Sequence, residues 1–157
     1  MNENNMTELA PATFPANSQL AVTIDGHDYI ADLTTATNHY CSMQPSDRKG
    51  KALLFKAMNN PDKRIGDCIN MNIKIKDIYC EVVRCISQET GEVDEVPRVV
   101  LIDDKGVSYQ SVSKGIFGAV SKLIQIFGAP TWEDPLEVTI KQVTRGANKM
   151  LTLDLVG

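Results

Sequence analysis

The amino-acid sequence predicts a mainly β protein with the OB-fold, a five-stranded barrel that carries one α-helix between strands 3 and 4. Two observations favour this fold class. The patterns follow one another as strand, long bent strand, strand, helix, strand, strand, which is the element order of that fold. The chain has 157 residues, 43% of them hydrophobic, which suffices for a core without disulfides or a metal. The same order also allows an α+β sheet with one helix on a face.

The N-terminal third of the chain precedes the predicted barrel. Residues 1–17, rich in Asn, Pro and Ala, are predicted to form a flexible arm. Residues 18–50 are predicted to hold an N-terminal β-hairpin and a connector, because two apolar runs flank Asp25-Gly26, a dipeptide typical of tight hairpin turns. Residues 51–157 then form the predicted OB-fold domain, which is the predicted binding domain of the protein.

The predicted barrel strands differ in length. The first covers residues 53–58 and stops before Pro61. The second covers residues 69–86, where apolar and polar residues alternate until the alternation shifts by one residue after Asp77. One inserted residue is the pattern of a β-bulge, which bends a strand enough to serve two sides of a small barrel. The remaining strands are predicted at residues 97–103, after which a turn leads into residues 107–110, and at residues 136–144 and 150–156.

One α-helix is predicted over residues 112–127. Its apolar residues recur at helical spacing and therefore share one face. That stripe consists of Val112, Ile116, Phe117, Val120, Leu123, Ile124 and Phe127. We expect Ser111 to be the N-cap and Gly128 to end the helix.

Several classes of function are disfavoured. No nucleotide-binding, metalloprotease or serine-hydrolase motif occurs, so we expect no catalytic site and no cofactor. The four cysteines lack the paired spacing of a zinc site, so we assign no metal. The longest uncharged apolar run, residues 115–120, is too short to cross a membrane, and the first residues lack the regions of a secretory signal. A cytoplasmic protein is therefore predicted, in the host cytoplasm if the chain is viral.

Charge is unevenly distributed along the chain. The formal net charge is −4, which by itself argues against a nucleic-acid partner. Residues 47–66, however, hold six basic and two acidic residues, whereas residues 77–104 hold two basic and eight acidic ones. Because binding depends on local placement and not on the total, a basic face that binds single-stranded DNA is compatible with this composition.

The predicted barrel places basic residues where OB-folds bind single strands, in two loops and on one strand face. Aromatic side chains are also needed there, because bases stack on them. After the bulge, Tyr79 falls on the face opposite the apolar Ile78 and Cys80. The candidate DNA-binding residues are Phe55, Lys56, Lys63, Arg64, Lys74, Lys76, Tyr79, Tyr109, Lys114, Trp132, Lys141, Arg145 and Lys149. Core packing of the aromatic residues and plain solvation of the lysines remain the alternatives.

The C-terminal half also resembles a known family. The run Asp103-Asp-Lys-Gly-Val-Ser-Tyr109, then Ser111-Val-Ser-Lys114, the predicted helix and the two last strands are similar to single-stranded DNA-binding proteins of tailed bacteriophages that replicate by protein priming. The resemblance implies an OB-fold that coats displaced single strands without sequence preference. It carries over Tyr109, Lys114 and Lys141, with Tyr109 as a stacking residue. The first 50 residues have no counterpart.

The sequence therefore predicts a non-specific single-stranded DNA-binding protein that supports phage DNA replication, recombination or repair. Its partner is single-stranded DNA; phage replication proteins and a homo-oligomer are left open. The alternative is a structural or protein-interaction module of a virion, with residues 1–50 as its contact surface. A metal-dependent nuclease using Asp103 and Asp104 ranks third, because adjacent Asp residues before a glycine are typical of a turn.

Overall fold

Eight strands form one curled sheet in the computed structural model, with a helix packed on each of its two faces. The structure describes residues 19–24 and 27–156. The predicted flexible arm and the Asp25-Gly26 turn lie outside the described residues. The fold is mainly β, and its curled sheet is compatible with an OB-like barrel.

The described chain begins with a β-hairpin, and its two α-helices separate the later strands into two groups. The elements are β1 (Gln19–Ile24), β2 (His27–Cys41), α1 (Arg48–Asn59), β3 (Lys63–Arg64), β4 (Asn72–Ser87), β5 (Val93–Asp103), β6 (Ser108–Ser111), α2 (Lys114–Phe127), β7 (Leu136–Arg145) and β8 (Asn148–Leu155). A short 3-10 helix, Ile65–Asp67, follows β3. The β1–β2 pairing confirms the predicted N-terminal hairpin.

The long strand β4 organises the sheet. The strand order is β1-β2-β4-β5-β6-β3, and β7 pairs with both β4 and β8. The first residues of β4 pair with β7, whereas its later residues pair with β2 along the same edge. The register of β4 against β5 shifts between Ile75 and Asp77, which confirms the predicted bulge at this position. One bent strand thereby joins two parts of the sheet.

Two apolar clusters lie on opposite faces of the sheet. The main core contains Ile73, Ile75 and Ile78 of β4 together with Ile116 and Val120 of α2. The second core consists of Ala57, Tyr79, Val100 and Ile102, with Cys41, Met43 and Met58 packed against it. Because Ala57 and Met58 belong to α1, this helix covers the outer face of β4 and β5. The predicted switch of faces after the bulge is present, since Ile78 and Tyr79 enter different cores.

Helix α1 replaces the predicted first barrel strand at residues 53–58, so that prediction is wrong. Its inward residues follow at helical steps of three and one: Gly50, Leu53, Leu54, Ala57 and Met58. Asp47 caps the helix, because its side chain accepts a hydrogen bond of 2.8 Å from the Gly50 amide. The described residues form eight strands and two α-helices, whereas the sequence predicted a five-stranded barrel with one helix and an N-terminal hairpin.

Helix α2 matches its predicted extent, but its cap differs. Ser113 and not Ser111 is the N-cap, since the Ser113 hydroxyl accepts a hydrogen bond from the Gly115 amide. Ser111 is the last residue of β6, and its hydroxyl accepts a hydrogen bond from the Ser113 amide. Gly128 ends the helix as expected, with a φ of 84° that favours glycine.

Gly115 permits the close approach of α2 to β8. A Cβ atom at this position would lie 2.0 Å from the Leu151 carbonyl oxygen. We expect Gly115→Ala to lower the free energy of unfolding by about 1–3 kcal/mol, because backbone atoms must separate to admit the methyl group. Gly118→Ala on the same helix is the control: no atom lies within 4 Å of its Cβ position, so alanine should raise stability by about 0.5–1 kcal/mol. Urea denaturation of both variants measures the difference, and equal stabilities would contradict the packing argument.

Candidate nucleic-acid interface

The outward side of α1 is a basic surface that includes an exposed aromatic ring. We call it the α1 surface and define it by its exposed residues Arg48, Lys49, Lys51, Ala52, Phe55 and Lys56. Phe55 is 66% exposed, which is unusual for a phenylalanine. Arg48, Lys51, Ala52 and Phe55 line an open depression of about 500 Å³. An aromatic ring flanked by cations can receive a base and its phosphate together.

The start of α1 is fixed to the sheet through Asp77. This buried carboxylate accepts a hydrogen bond of 2.8 Å from the Ser42 hydroxyl and a second one from the Thr131 hydroxyl. The Ser42 amide also donates to the Ile78 carbonyl oxygen at 3.0 Å. The start of the segment that leads from β2 to α1 is therefore held against β4.

The end of α1 is fixed through Asp62. Its carboxylate accepts hydrogen bonds from the Ser108 amide at 3.0 Å and the Ser108 hydroxyl at 3.1 Å, and it pairs with Lys56. The Lys56 hydrogen bond is the main cause that lowers the pKa of Asp62, followed by the bond from the Ser108 amide. The carboxylate therefore stays charged at neutral pH. With both ends held, the α1 surface is presented in one orientation.

The two basic residues after α1 lie beside it. Lys63 and Arg64 form β3, which pairs in parallel with Tyr109 and Gln110 of β6. Both side chains are exposed, and Arg64 contacts Asp67 with an Nε–Oδ2 distance of 3.3 Å. They border a cavity of about 430 Å³ that Met71 and Gln110 also line. The structure thus brings Phe55, Lys56, Lys63 and Arg64 onto consecutive elements, α1 and β3.

The other predicted basic residues lie on separate elements. Lys74 is exposed on β4 opposite Glu137, and Lys76 sits at the bulge. Lys114 is the exposed first residue of α2. Lys141, Arg145 and Lys149 lie on the β7–β8 hairpin. Among the described residues, no hydrogen bond or ion pair joins these six side chains to the α1 surface, so they occupy separate positions.

Three of the four predicted stacking residues are buried, which corrects that part of the prediction. Tyr79 is 1% exposed, Tyr109 5% and Trp132 7%. Tyr109 and Trp132 belong to the main core and Tyr79 to the second core. Burial, and next the nearby Asp103 carboxylate, raise the pKa of Tyr109 to about 12. Their ring faces pack against apolar side chains and are not accessible to bases, which leaves Phe55 as the exposed candidate.

The sequence reasoning missed Arg48, Lys49 and Lys51 as site residues. They belong to the basic segment 47–66 that the charge count singled out. The signal that groups them is helical spacing. Gly50, Leu53, Leu54 and Ala57 lie on one side of α1, and these three basic residues and Phe55 therefore lie on the other side.

Other chemistry finds little support in the described residues. Asp103 closes a turn, because its carboxylate accepts hydrogen bonds from the Lys105 and Val107 amides at 2.9 and 2.8 Å. The four cysteines are free thiols, and burial raises the pKa of Cys80 to about 11. Among the side chains that the structure describes, no three of His, Cys, Asp or Glu are grouped as metal ligands would be. No helix in those ranges has the length and apolarity needed to span a bilayer.

A basic surface with an exposed aromatic ring is a feature that proteins which bind single-stranded nucleic acid commonly have. Comparison with known families agrees with this class. The family described as phage single-stranded DNA-binding protein, of the Phi29 type, matches residues 34–156, which is more than three quarters of the chain. The chain therefore belongs to this family of phage single-stranded DNA-binding proteins, the type associated with protein-primed replication. Because the match begins at residue 34, the expectation that the first 50 residues have no counterpart in the family is wrong for residues 34–50. No curated protein and no solved structure matches it.

Proposed function

We propose that this protein coats single-stranded DNA without sequence preference and so supports phage DNA replication, with recombination or repair as further settings in the host cytoplasm. The observation that carries the proposal is Phe55, which is 66% exposed beside Arg48 and Lys51 on α1. Family membership supports the class of ligand. The protein has no catalytic role in this proposal.

The α1 surface explains binding without sequence preference. A phenylalanine ring stacks on any base, because every base has a π face, and such stacking contributes about 1–3 kcal/mol per base. Arg48, Lys49 and Lys51 form no ion pair within the part of the chain that the structure describes, so their charges are available to phosphates. Neither interaction reads the edge of a base.

The proposed interface differs from the usual OB arrangement. The pairings of β4 with β5 and β7, of β5 with β6, and of β7 with β8 give a strand order like that of an OB barrel with α2 between its third and fourth strands. OB-folds bind single strands across their second and third strands. Helix α1 covers the corresponding outer face of β5, so we infer that the single-stranded DNA runs over α1 instead. Lys63 and Arg64 extend this path, and Lys74, Lys76, Lys114, Lys141, Arg145 and Lys149 flank it.

A salt series tests the proposal. Fluorescence anisotropy of a labelled oligothymidylate should report binding that weakens linearly in a plot of log affinity against log salt concentration, because single strands release about 0.7 counterion per neutralised phosphate. Arg48→Gln with Lys51→Gln should reduce the slope by about 1.4 if both side chains contact phosphates. Lys122→Gln, which removes an exposed positive charge from α2 away from the proposed path, is the control and should leave the slope unchanged.

Two results would contradict the proposal. If the wild-type protein does not bind oligothymidylate at low salt, the structural or interaction module becomes the better description. If binding occurs but the Arg48 and Lys51 variant keeps the wild-type slope, the DNA lies elsewhere on the protein.

A further inference from the structure

A chain of buried hydrogen bonds runs along the outer face of the sheet and ends at the cavity beside β3. The Tyr79 hydroxyl donates to Glu81 at 2.6 Å, and Arg98 Nη1 donates to the other Glu81 oxygen at 2.8 Å. Arg98 Nε then donates to Gln110 Oε1 at 3.0 Å. Gln110 lines the cavity of about 430 Å³ described above, which we call the Gln110 cavity.

This chain determines how the Gln110 amide is oriented. A guanidinium has only donors, so the amide atom facing Arg98 must be the carbonyl oxygen. The amide nitrogen, with its two donors, therefore lies on the side away from Arg98. Gln110 is only 8% exposed, and its nitrogen has no hydrogen-bond partner among the described residues. Among the described residues, the fully buried side-chain nitrogen or oxygen that lacks a partner is Arg98 Nη2 and not the Gln110 nitrogen, so the latter reaches the cavity, where its fixed orientation offers a donor to a ligand acceptor.

The remaining lining of the Gln110 cavity indicates what that ligand is. Arg64 contacts Asp67 and Asp62 pairs with Lys56, so these charges largely balance. Lys63 forms no ion pair in the described part of the chain and adds one positive charge at the rim. Met71 is 42% exposed and offers a polarisable apolar side chain. One cation, one apolar contact and one amide donor match the phosphate, base face and acceptor oxygen of a nucleotide.

We propose that the Gln110 cavity holds one nucleotide of the bound single strand and that the Gln110 amide donates a hydrogen bond to an oxygen acceptor of that nucleotide. The volume lies within the range of about 300–1,000 Å³ that is typical of small-molecule sites. This inference rests on the proposed function and adds to it a defined subsite next to the α1 surface. The acceptor is either a base carbonyl or a phosphate oxygen, which share the same hydrogen-bond chemistry.

Gln110→Glu tests the subsite with little change in shape. The glutamate still offers an oxygen to Arg98 but presents an acceptor where the amide nitrogen was. We expect the affinity for labelled oligothymidylate to fall about tenfold, the equivalent of one lost hydrogen bond. Gln125→Glu, at an exposed position of α2, carries the same charge change and should leave the affinity unchanged. Measuring both at two salt concentrations separates the local effect from long-range repulsion, because only the latter is screened.

A second oligonucleotide identifies which oxygen of the nucleotide is the acceptor. A second variant, at an exposed position, tests the subsite without an effect on folding. If the acceptor is a phosphate oxygen, Gln110→Glu should bind an abasic oligonucleotide of the same length more weakly than the wild type does. If the acceptor is a base carbonyl, Gln110→Glu should bind only oligothymidylate more weakly than the wild type. Lys63→Gln, an exposed change, should reduce the salt slope by about 0.7. Wild-type affinity in Gln110→Glu, an equal loss in Gln125→Glu, or an unchanged slope in Lys63→Gln would overturn the subsite. Absence of binding by the wild type would instead overturn the proposed function.

Discussion

Phe55→Ala should lower the affinity for oligothymidylate by about 5- to 150-fold, the equivalent of the 1–3 kcal/mol that a base gains by stacking on an aromatic ring. The ring is 66% exposed in the unliganded protein, so its removal costs little packing in the fold. Fluorescence anisotropy titration measures the affinity, and urea denaturation should show a stability within about 0.5 kcal/mol of the wild type.

Phe127→Ala is the matched control for Phe55. Phe127 is an exposed phenylalanine at the end of α2, 43% accessible and outside the α1 surface. Its replacement should not change the affinity. Phe55→Trp should retain or improve binding, because the larger indole also stacks on bases. If Phe55→Ala and Phe127→Ala bind equally well, Phe55 does not stack on DNA.

Arg98→Met should lower the free energy of unfolding by about 3–5 kcal/mol, the usual cost of breaking a buried ion pair. Arg98 is fully buried, and its partner Glu81 is 5% exposed. The substitution leaves the Glu81 carboxylate without its cation and the Gln110 oxygen without its donor. Arg145→Met, an exposed arginine at the end of β7, is the control and should change stability by less than about 0.5 kcal/mol.

A double variant separates the loss of the ion pair from the loss of packing. Glu81→Leu combined with Arg98→Met removes both charges, so no uncompensated carboxylate remains, and part of the lost stability should return. Guanidinium denaturation of the wild type, both single variants and the double variant gives the coupling between the two positions. If the double variant is destabilised by the sum of the two single effects, the ion pair does not act as a unit.

Features that depend on nearby residues could be predicted from the sequence. The hairpin of β1 and β2, the bulge in β4 and the extent of α2 each follow from periodicity within one segment, and all three are present. Periodicity also predicted that Tyr79 lies on the face opposite Ile78. It could not predict that this face is covered, because burial of Tyr79 depends on α1, more than 20 residues away in the chain.

Helix α1 shows why the first predicted strand was wrong. The apolar run at residues 52–55 fits a buried strand as well as one side of a helix, and a short run cannot separate the two. What distinguishes them is the contact of Ala57 and Met58 with the outer face of the sheet, which is a tertiary feature. The sequence therefore identified the basic segment by its charge. It could not predict that the basic residues lie around Phe55, because that arrangement depends on the segment being a helix.

The division of α1 into two sides also affects how the protein can evolve. Inward positions such as Ala57 maintain the second core, whereas outward positions such as Phe55 meet solvent. In the proposed interface, stability and DNA affinity are therefore determined at different positions of the same 12 residues. Substitutions on the outward side of α1 are then expected to change the affinity for DNA without disturbing the packing of the sheet beneath.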